Sequence, residues 1–292
     1  MPNGQDTAKL SDYPVPPIGE LRKPARMSVV TTVRNGEETL ARAIDSVRLQ
    51  NIPDLEYIII DSASTDNTLD IVRGNTDVVT YWQSEPDRGI SDGFNKGIVL
   101  SSGEFITLLN ADDWLSPGQI AAGIETLDRT GADFVFGDLL YHGKDGELLY
   151  KVTGDAAYAA RIDSLMPALN HPTVIVRRMV YERFGLFDLN YRYAMDYELL
   201  LRFHCAGCKG VYNPRIVGHM TLTGASDASS LKAIREVRTA AIAYGYPIIP
   251  AYLLSYLRMA KDRIRRLIEH LLPRSLSLAL RSAVNRDLAR AK

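Results

Sequence analysis

Residues 27–68, MSVVTTVRNGEETLARAIDSVRLQNIPDLEYIIIDSASTDNT, set out one complete structural unit. MSVVTTV (27–33) and LEYIIID (55–61) are short, mostly apolar runs, the pattern of strands buried on both faces. Between them, Glu37 to Gln50 carries Leu40, Ile44 and Val47 at spacings of four and three, which predicts a helix with one apolar face. Strand, helix and strand in so short a stretch require a crossover, and therefore a parallel pair.

The alternation continues outward. STDNTLDIVR opens a second helix with Ser64 or Asp66 as N-cap. DVVTYW (77–82) reads as a third strand, SDGFNKGIVLSS (91–102) as a helix, and EFITLLN (104–110) as a fourth strand running into Ala111-Asp112-Asp113. Ser116 or Pro117 starts another helix before a fifth strand, ADFVFGDLLY (132–141). The second half is less regular: a hairpin near Gly143–Gly146, a strand at TVIVR, a helix at MDYELLLRFHCAG and a Gly/Ser-rich loop at 218–230. The pattern predicts an α/β fold with a Rossmann-like, mainly parallel sheet and helices on both faces. Ligands of such sheets bind at the carboxyl ends of the strands, which singles out the loops at 32–38, 61–67 and 110–113.

The chain has 292 residues, 46% hydrophobic and 24% charged, which is the balance of a folded protein of one large or two modest domains. Its formal net charge of −1 argues against nucleic-acid binding. No apolar run is long enough to span a membrane, and the N-terminus has no apolar core of a secretory signal. Two cysteines, Cys205 and Cys208, are too few for a disulfide scaffold or a four-ligand zinc site, and they read as thiols of a cytoplasmic protein. Residues 1–26 hold five prolines and no periodicity, so a flexible or extended lead-in is expected. Residues 251–292 carry ten Lys/Arg against three Asp/Glu, although the chain as a whole is slightly acidic. Within that tail Leu253, Leu257, Ala260, Ile264, Leu267 and Leu271 recur at helical spacing, with Arg258, Lys261 and Arg265 on a different face. Such a helix lies on an anionic bilayer, or else packs on the main domain or on a second copy of the chain in a homo-oligomer.

Adjacent carboxylates at a buried strand end repel unless a cation sits with them, and hard oxygen ligands suit magnesium or manganese. Asp112 and Asp113, with Asn110 before them, fit that reading; the alternative is acidic residues favoured near the start of the next helix. Asp61 can accept hydrogen bonds from a nucleoside, or it can build a turn together with Ser62, Ser64 and Asp66. Neither a phosphate-cradling GxxxxGK[ST] loop nor a GxGxxG is present. Asp196 opens an apolar helix as a cap or as a base, and Arg202 contacts a phosphate or forms a salt bridge.

Taken in order, SVVTTVRNGEETLARAIDSVRLQ, YIIIDSASTDNT, ISDGFNKGIVLSSGEFITLLNADD and AMDYELLLRF resemble family 2 glycosyltransferases of the GT-A fold. The resemblance covers residues 27 to about 225, and it is greatest to enzymes of O-antigen, capsule and similar bacterial surface glycans. It implies a GT-A domain at 27–230, with a nucleotide-sugar half at 27–140 and an acceptor half at 141–230, followed by a basic helical extension at 231–292. It implies that Thr32, Arg34, Glu38, Asp61, Asp92, Lys96, Asn110 and Asp112 meet the donor, and that Asp112 and Asp113 hold the metal. Asp196 matches the catalytic base; His171, Arg202, Gly224 and Ser226 fall on the acceptor side. Serine at position 62, where many relatives have a second acidic residue, departs from the pattern, as does NADD in place of a strict DxD.

The implied reaction is inverting, metal-dependent transfer from a nucleotide sugar, a UDP-sugar being favoured, to a hydroxyl of a glycan or lipid-linked acceptor. The implied location is the inner face of the cytoplasmic membrane. Two other readings compete: a sugar-nucleotide nucleotidyltransferase, and a degenerate scaffold of the same fold. The first needs a basic, Gly-rich triphosphate loop after the first strand, where Thr31–Gly36 offers only Arg34. The second has no need of four costly carboxylates.

Overall fold

A computed structural model describes residues 8–13, 24–222 and 230–271. Nine strands form one sheet: β1 Met27–Val33, β2 Leu55–Asp61, β3 Tyr81–Ser84, β4 Phe105–Asn110, β5 Trp114–Leu115, β6 Phe134–His142, β7 Leu148–Val152, β8 Ile175–Arg177 and β9 Gly210–Thr221. Among the described residues eight α-helices accompany them: α1 Leu40–Arg48, α2 Thr68–Arg73, α3 Ile90–Leu100, α4 Gln119–Thr130, α5 Arg178–Phe184, α6 Met195–Cys205, α7 Ser230–Ala243 and α8 Ile248–Leu271.

The strand order is β3-β2-β1-β4-β8-β6-β9-β5, with β7 on the other part of β6. The β3-β2-β1-β4 portion is wholly parallel, and β9 runs parallel to β6. The short strands β5, β7 and β8 are antiparallel to their neighbours. Alternate residues of the parallel strands serve opposite cores. Val30, Ile58, Ile60, Ile106 and Leu108 pack with α3, α5, α6 and α7. Met27, Val29, Tyr57, Ile59, Phe105 and Leu109 pack with α1, α2 and α4. This two-sided burial is why the strands read as unbroken apolar runs. Gly97 lets α3 lie directly on β1, since a Cβ there would collide with Val30.

Several elements differ from the sequence expectation. The third strand starts at Tyr81 because residues 75–79 form a turn, with the Val78 and Val79 amides donating to the Asn75 carbonyl. Helix α1 begins at Leu40, since residues 36–39 are a turn tied to the loop after β2. Helix α4 begins at Gln119 after Gly118, which takes a left-handed conformation (φ 76°). In the lead-in, residues 10–12 form a 3-10 turn, and Tyr13 is buried with its hydroxyl donating to Asp92 at 2.9 Å. A boundary at 140/141 falls inside β6, and α7 shares the core of α6 through Val237 and Ala240. Gly224 and Ser226 lie outside the described residues.

Candidate active site

The register of the parallel strands brings their carboxyl ends level: Val33 sits beside Asp61, and Thr32 beside Asn110. The loops leaving β1 and β2 are laced together. Asn35, at φ 51°, donates its amide to Ser64 Oγ at 2.7 Å and accepts the Thr65 amide on its side chain at 2.9 Å. Gly36 N–H donates to Thr68 Oγ1, and Glu37 accepts from the amide and the side chain of Asn67. Asp61 is fully buried and accepts from Ser64 N–H at 3.0 Å and from the hydroxyls of Ser64 and Ser84. It therefore organises the loop. Thr32 is nearly buried at the strand end, whereas Arg34 and Glu38 are exposed. Glu37, which the sequence did not single out, does the tethering.

The end of β4 carries the most unusual electrostatics. Asp113 has no exposed surface. Its Oδ2 accepts from Asn110 Nδ2 at 2.9 Å, while its Oδ1 and the Asn110 Oδ1 are buried with no hydrogen-bond partner. Burial, reinforced by the charge of Asp112, pushes the Asp113 carboxyl up to about 8. Burial also raises Asp112, against its own backbone amide and Arg42. Two orphaned hard oxygens beside a second, half-exposed carboxylate fit a divalent cation. Among the described residues no three His, Cys, Asp or Glu side chains form a complete metal cage. A magnesium- or manganese-type ion held by Asn110, Asp112 and Asp113 would need water and phosphate oxygens to complete its coordination.

A cluster that the sequence could not show backs this corner. Arg42 donates to the Asp112 carbonyl at 3.0 Å and to Thr221 Oγ1 at 2.9 Å, and its guanidinium lies 3.8 Å from the Trp114 ring centroid. Trp114 stacks on His219, whose ring nitrogens meet Ser116 Oγ at 2.8 Å and His142 at 2.9 Å. Burial, with His142 and Arg42 adding in the same direction, pushes His219 down to about 4, so it is neutral near pH 7.

Helix α6 presents Asp196 in its first turn. The start of α6 has no side-chain cap; Glu236 of α7 ties down the segment leading into it, accepting the amides of Arg192, Tyr193 and Ala194 at 3.0, 2.7 and 2.8 Å. Asp196 instead accepts only the Tyr197 amide, at 2.9 Å, and lines the main cleft. His171 lines the same cleft between the rings of Phe94 and Phe187. Burial lowers its basicity, with the Asp196 charge opposing.

Three expected site residues are engaged elsewhere. Arg202 is buried in a bidentate pair with Glu198, at 3.0 Å for both contacts, and donates to the carbonyls of Phe184 and Leu186 at 2.6 Å. All its reach is spent inside the core, so it is a structural residue and not an acceptor contact. Asp92 is buried under Tyr13 and Arg88; burial would raise its carboxyl, but the Arg88 and Tyr13 hydrogen bonds outweigh this and hold it low. Lys96 pairs with Glu85 at 2.8 Å and donates to the Pro86 carbonyl. Asp92 and Lys96 fix the 85–89 turn; of the expected donor and metal residues only Asn110 lines the main cleft, while Thr32, Arg34, Glu38, Asp61, Asp112 and Asp113 lie beside or behind that end.

The cleft has a volume of about 850 Å³, within the range of sites for substrates of nucleotide-sugar size. Asn110 marks its β4 end, with Asp196, His171 and Met195 along the wall. Residues following β7, among them Arg161, Leu165 and Met166, together with Arg192, Arg258 and Lys261, close the far side. In sequence Arg258 and Lys261 stand out only as part of a basic helix face, and Arg161, Leu165, Met166 and Arg192 carry no local signal.

The model of "Glycosyl transferase family 2" matches residues 28–189, more than half of the chain. An uncharacterized glycosyltransferase of Rickettsia typhi is 29% identical over 188 residues, which are 61% of this chain and 58% of that protein. The chain thus spans less than two thirds of that relative's length. The mannosyltransferase PcManGT from Pyrobaculum calidifontis, solved with GDP-Man and Mn²⁺, superposes with a TM-score of 0.59 at 18% identity, covering 96% of this chain and 85% of that one. Residues 1–349 of Staphylococcus aureus TarS, solved with UDP-GlcNAc, give a TM-score of 0.57 at 16% identity, covering 74% and 66%. These likenesses place the fold among the GT-A glycosyltransferases.

Proposed function

From a chain that belongs to glycosyl transferase family 2, we propose an inverting transfer of a sugar from a nucleotide-sugar donor, a UDP-sugar first, to an acceptor hydroxyl in the 850 Å³ cleft. The observation that carries this reading is the orphaned oxygen of Asn110, at one end of a cleft that Asp196 also lines, with the orphaned Asp113 carboxyl hydrogen-bonded directly behind it. A buried, unpaired carboxylate is costly to a scaffold, and it is useful where a cation and a diphosphate complete it.

The roles follow from position. The loops after β1 and β2, laced by Asn35 and Glu37 and organised by Asp61, would receive the nucleoside at the sheet's carboxyl edge beside Thr32. Asn110, Asp112 and Asp113 would hold magnesium or manganese, which supplies charge stabilisation to the departing diphosphate. An acceptor hydroxyl is a poor nucleophile near neutral pH, so Asp196 accepts its proton as the bond to the anomeric carbon forms. His171, neutral and packed between aromatic rings, shapes the floor beside that carboxylate.

The TarS complex contains UDP-GlcNAc and the PcManGT complex GDP-Man, so GDP is the first alternative to UDP. Thermal unfolding with UDP, GDP, dTDP and CDP, each with and without Mn²⁺, tests the donor class. One nucleotide at 100 times its Kd is expected to add about 2.7 kcal/mol in the presence of metal. No shift with any of the four would remove the donor reading.

The proposed setting is assembly of a bacterial surface glycan at the inner face of the cytoplasmic membrane. Among the described residues no helix is long and apolar enough to cross a bilayer. Helix α8, however, turns Leu253, Leu257, Ile264 and Leu267 outward, each 58–61% exposed, while Ala251 and Ser255 face the protein. An apolar stripe on a basic helix is the pattern of interfacial binding. The wild-type protein is expected to co-sediment with phosphatidylglycerol vesicles, and Leu253→Glu/Leu257→Glu to remain in the supernatant. Equal sedimentation of the two would remove the membrane from the proposal.

A further inference from the structure

The far side of the cleft is the part that the family resemblance leaves undescribed. Four cationic side chains line it: Arg161 from the segment after β7, Arg192 before α6, and Arg258 and Lys261 from α8. Two carboxylates share the cleft, Asp155 and Asp196. Asp155 pairs with Arg161 at 2.5 Å, yet the Arg161 Nε is buried without a partner. Among the described residues, Arg192, Arg258 and Lys261 have no carboxylate within ion-pair distance.

Further along α8, Arg265 and Arg266 both pair with Asp262. Arg258 is only partly exposed, and burial weakens its hold on its proton, with the Tyr197 phenol as the opposing influence. A partly buried guanidinium with no counter-charge is unfavourable unless a ligand supplies one. Guanidinium and ammonium groups lining one cavity suit a phosphate, which offers several acceptor oxygens and up to two charges.

Position decides which phosphate. The donor loops and the acidic end of β4 all belong to the parallel β3-β2-β1-β4 portion of the sheet. The four cations come from outside it, and two of them from a helix that continues directly into an exposed apolar stripe. We infer that the far side of the cleft is a phosphate subsite for the acceptor, formed by Arg258 and Lys261 with Arg161 and Arg192. The acceptor is then a phosphate-bearing molecule, its reactive hydroxyl at Asp196 and its charge against α8. This inference rests on the proposed glycosyl transfer only for the word acceptor; the anion site itself can be measured alone.

The test is calorimetric titration in EDTA of wild-type protein and Arg258→Gln/Lys261→Gln with farnesyl diphosphate and with inorganic pyrophosphate. In parallel, the thermal shift by UDP with Mn²⁺ is recorded for both proteins. Loss of charge-assisted hydrogen bonds is expected to weaken anion binding about tenfold or more in the double variant, while the nucleotide shift is retained. Lys261→Gln alone, at an exposed position, is expected to weaken it by a smaller factor without altering the fold, and Arg258→Lys to restore much of the affinity. A wild-type preference for farnesyl diphosphate supports a lipid-linked acceptor, and equal binding of both anions supports a soluble phosphorylated one. Absence of binding by the wild type, equal binding by the double variant, or loss of the nucleotide shift together with the anion would overturn the subsite. A nucleotide that never shifts the wild type, alongside anion binding that depends on Arg258 and Lys261, would instead remove the donor reading and leave the subsite standing.

Discussion

Asp196→Asn is expected to lower turnover by about two to four orders of magnitude, the contribution of a positioned general base. The affinity for donor nucleotide is expected to stay within about twofold of wild type, because the loops and acidic residues at the sheet edge are untouched. The substitution is nearly isosteric, and the side-chain oxygen that accepts the Tyr197 amide survives it. The segment leading into the helix is held by Glu236 and is untouched, so the melting temperature is expected to be little changed. If Asp196 were only a cap, the variant would lose stability and retain activity. If His171 were the base, Asp196→Asn would be mild and His171→Asn severe. Steady-state kinetics with a separate melting curve distinguishes the three outcomes.

Asp113→Asn is expected to act in two opposite directions. Without metal, the native state holds the Asp113 proton up to about pH 8, because burial and then Asp112 disfavour its charge. The unfolded chain releases that proton near pH 4. The native state therefore binds more protons across this window, and the metal-free protein loses stability as pH rises from about 4 to 8. Removing the titrating group is expected to stabilise the protein at pH 8 in EDTA and to change it little at pH 5. The same variant is expected to lose the metal-dependent nucleotide shift and nearly all activity. Melting curves at pH 5 and pH 8, with EDTA and with Mn²⁺ plus nucleotide, read both effects. A variant that is less stable than wild type at pH 8 in EDTA would contradict the buried-charge argument, and one that keeps its metal dependence would relocate the metal.

How much of this was legible beforehand depends on whether a feature is local in sequence. β1 and β2 fall at their expected residues because doubly buried strands leave unbroken apolar runs. Helix α6 and its buried Leu199, Leu200 and Phe203 were readable for the same reason. β9 was not: GVYNPRIVGHMT carries Asn213, Pro214 and Gly218, and its pairing with β6 shifts register near Asp138. A strand so interrupted has no periodic signature. The doublet Asp112-Asp113 was legible because two carboxylates at a strand end require an explanation wherever they occur.

What depends on distant residues was hidden. Asp92 and Lys96 looked like donor contacts because their segment matched a family motif, but partners at Tyr13, Arg88 and Glu85 decide what they do. The segment leading into α6 is held by Glu236, some forty residues downstream of the amides it accepts. The cluster of Arg42, Trp114, His142 and His219 draws one member from each of four separate elements. Arg258 and Lys261 were legible only as a basic helix face; that this face closes the cleft needed the fold.

The most direct test of the central claim is product analysis by mass spectrometry and NMR. The protein is incubated with a panel of UDP-, GDP-, dTDP- and CDP-sugars and a phosphate-bearing lipid glycan, in Mn²⁺ and in EDTA. The account predicts that one donor releases its nucleoside diphosphate and transfers its sugar with inversion at the anomeric carbon, only with metal, and that Asp196→Asn abolishes the transfer. Transfer that proceeds equally in EDTA, a product of retained configuration, or no release from any donor would contradict it.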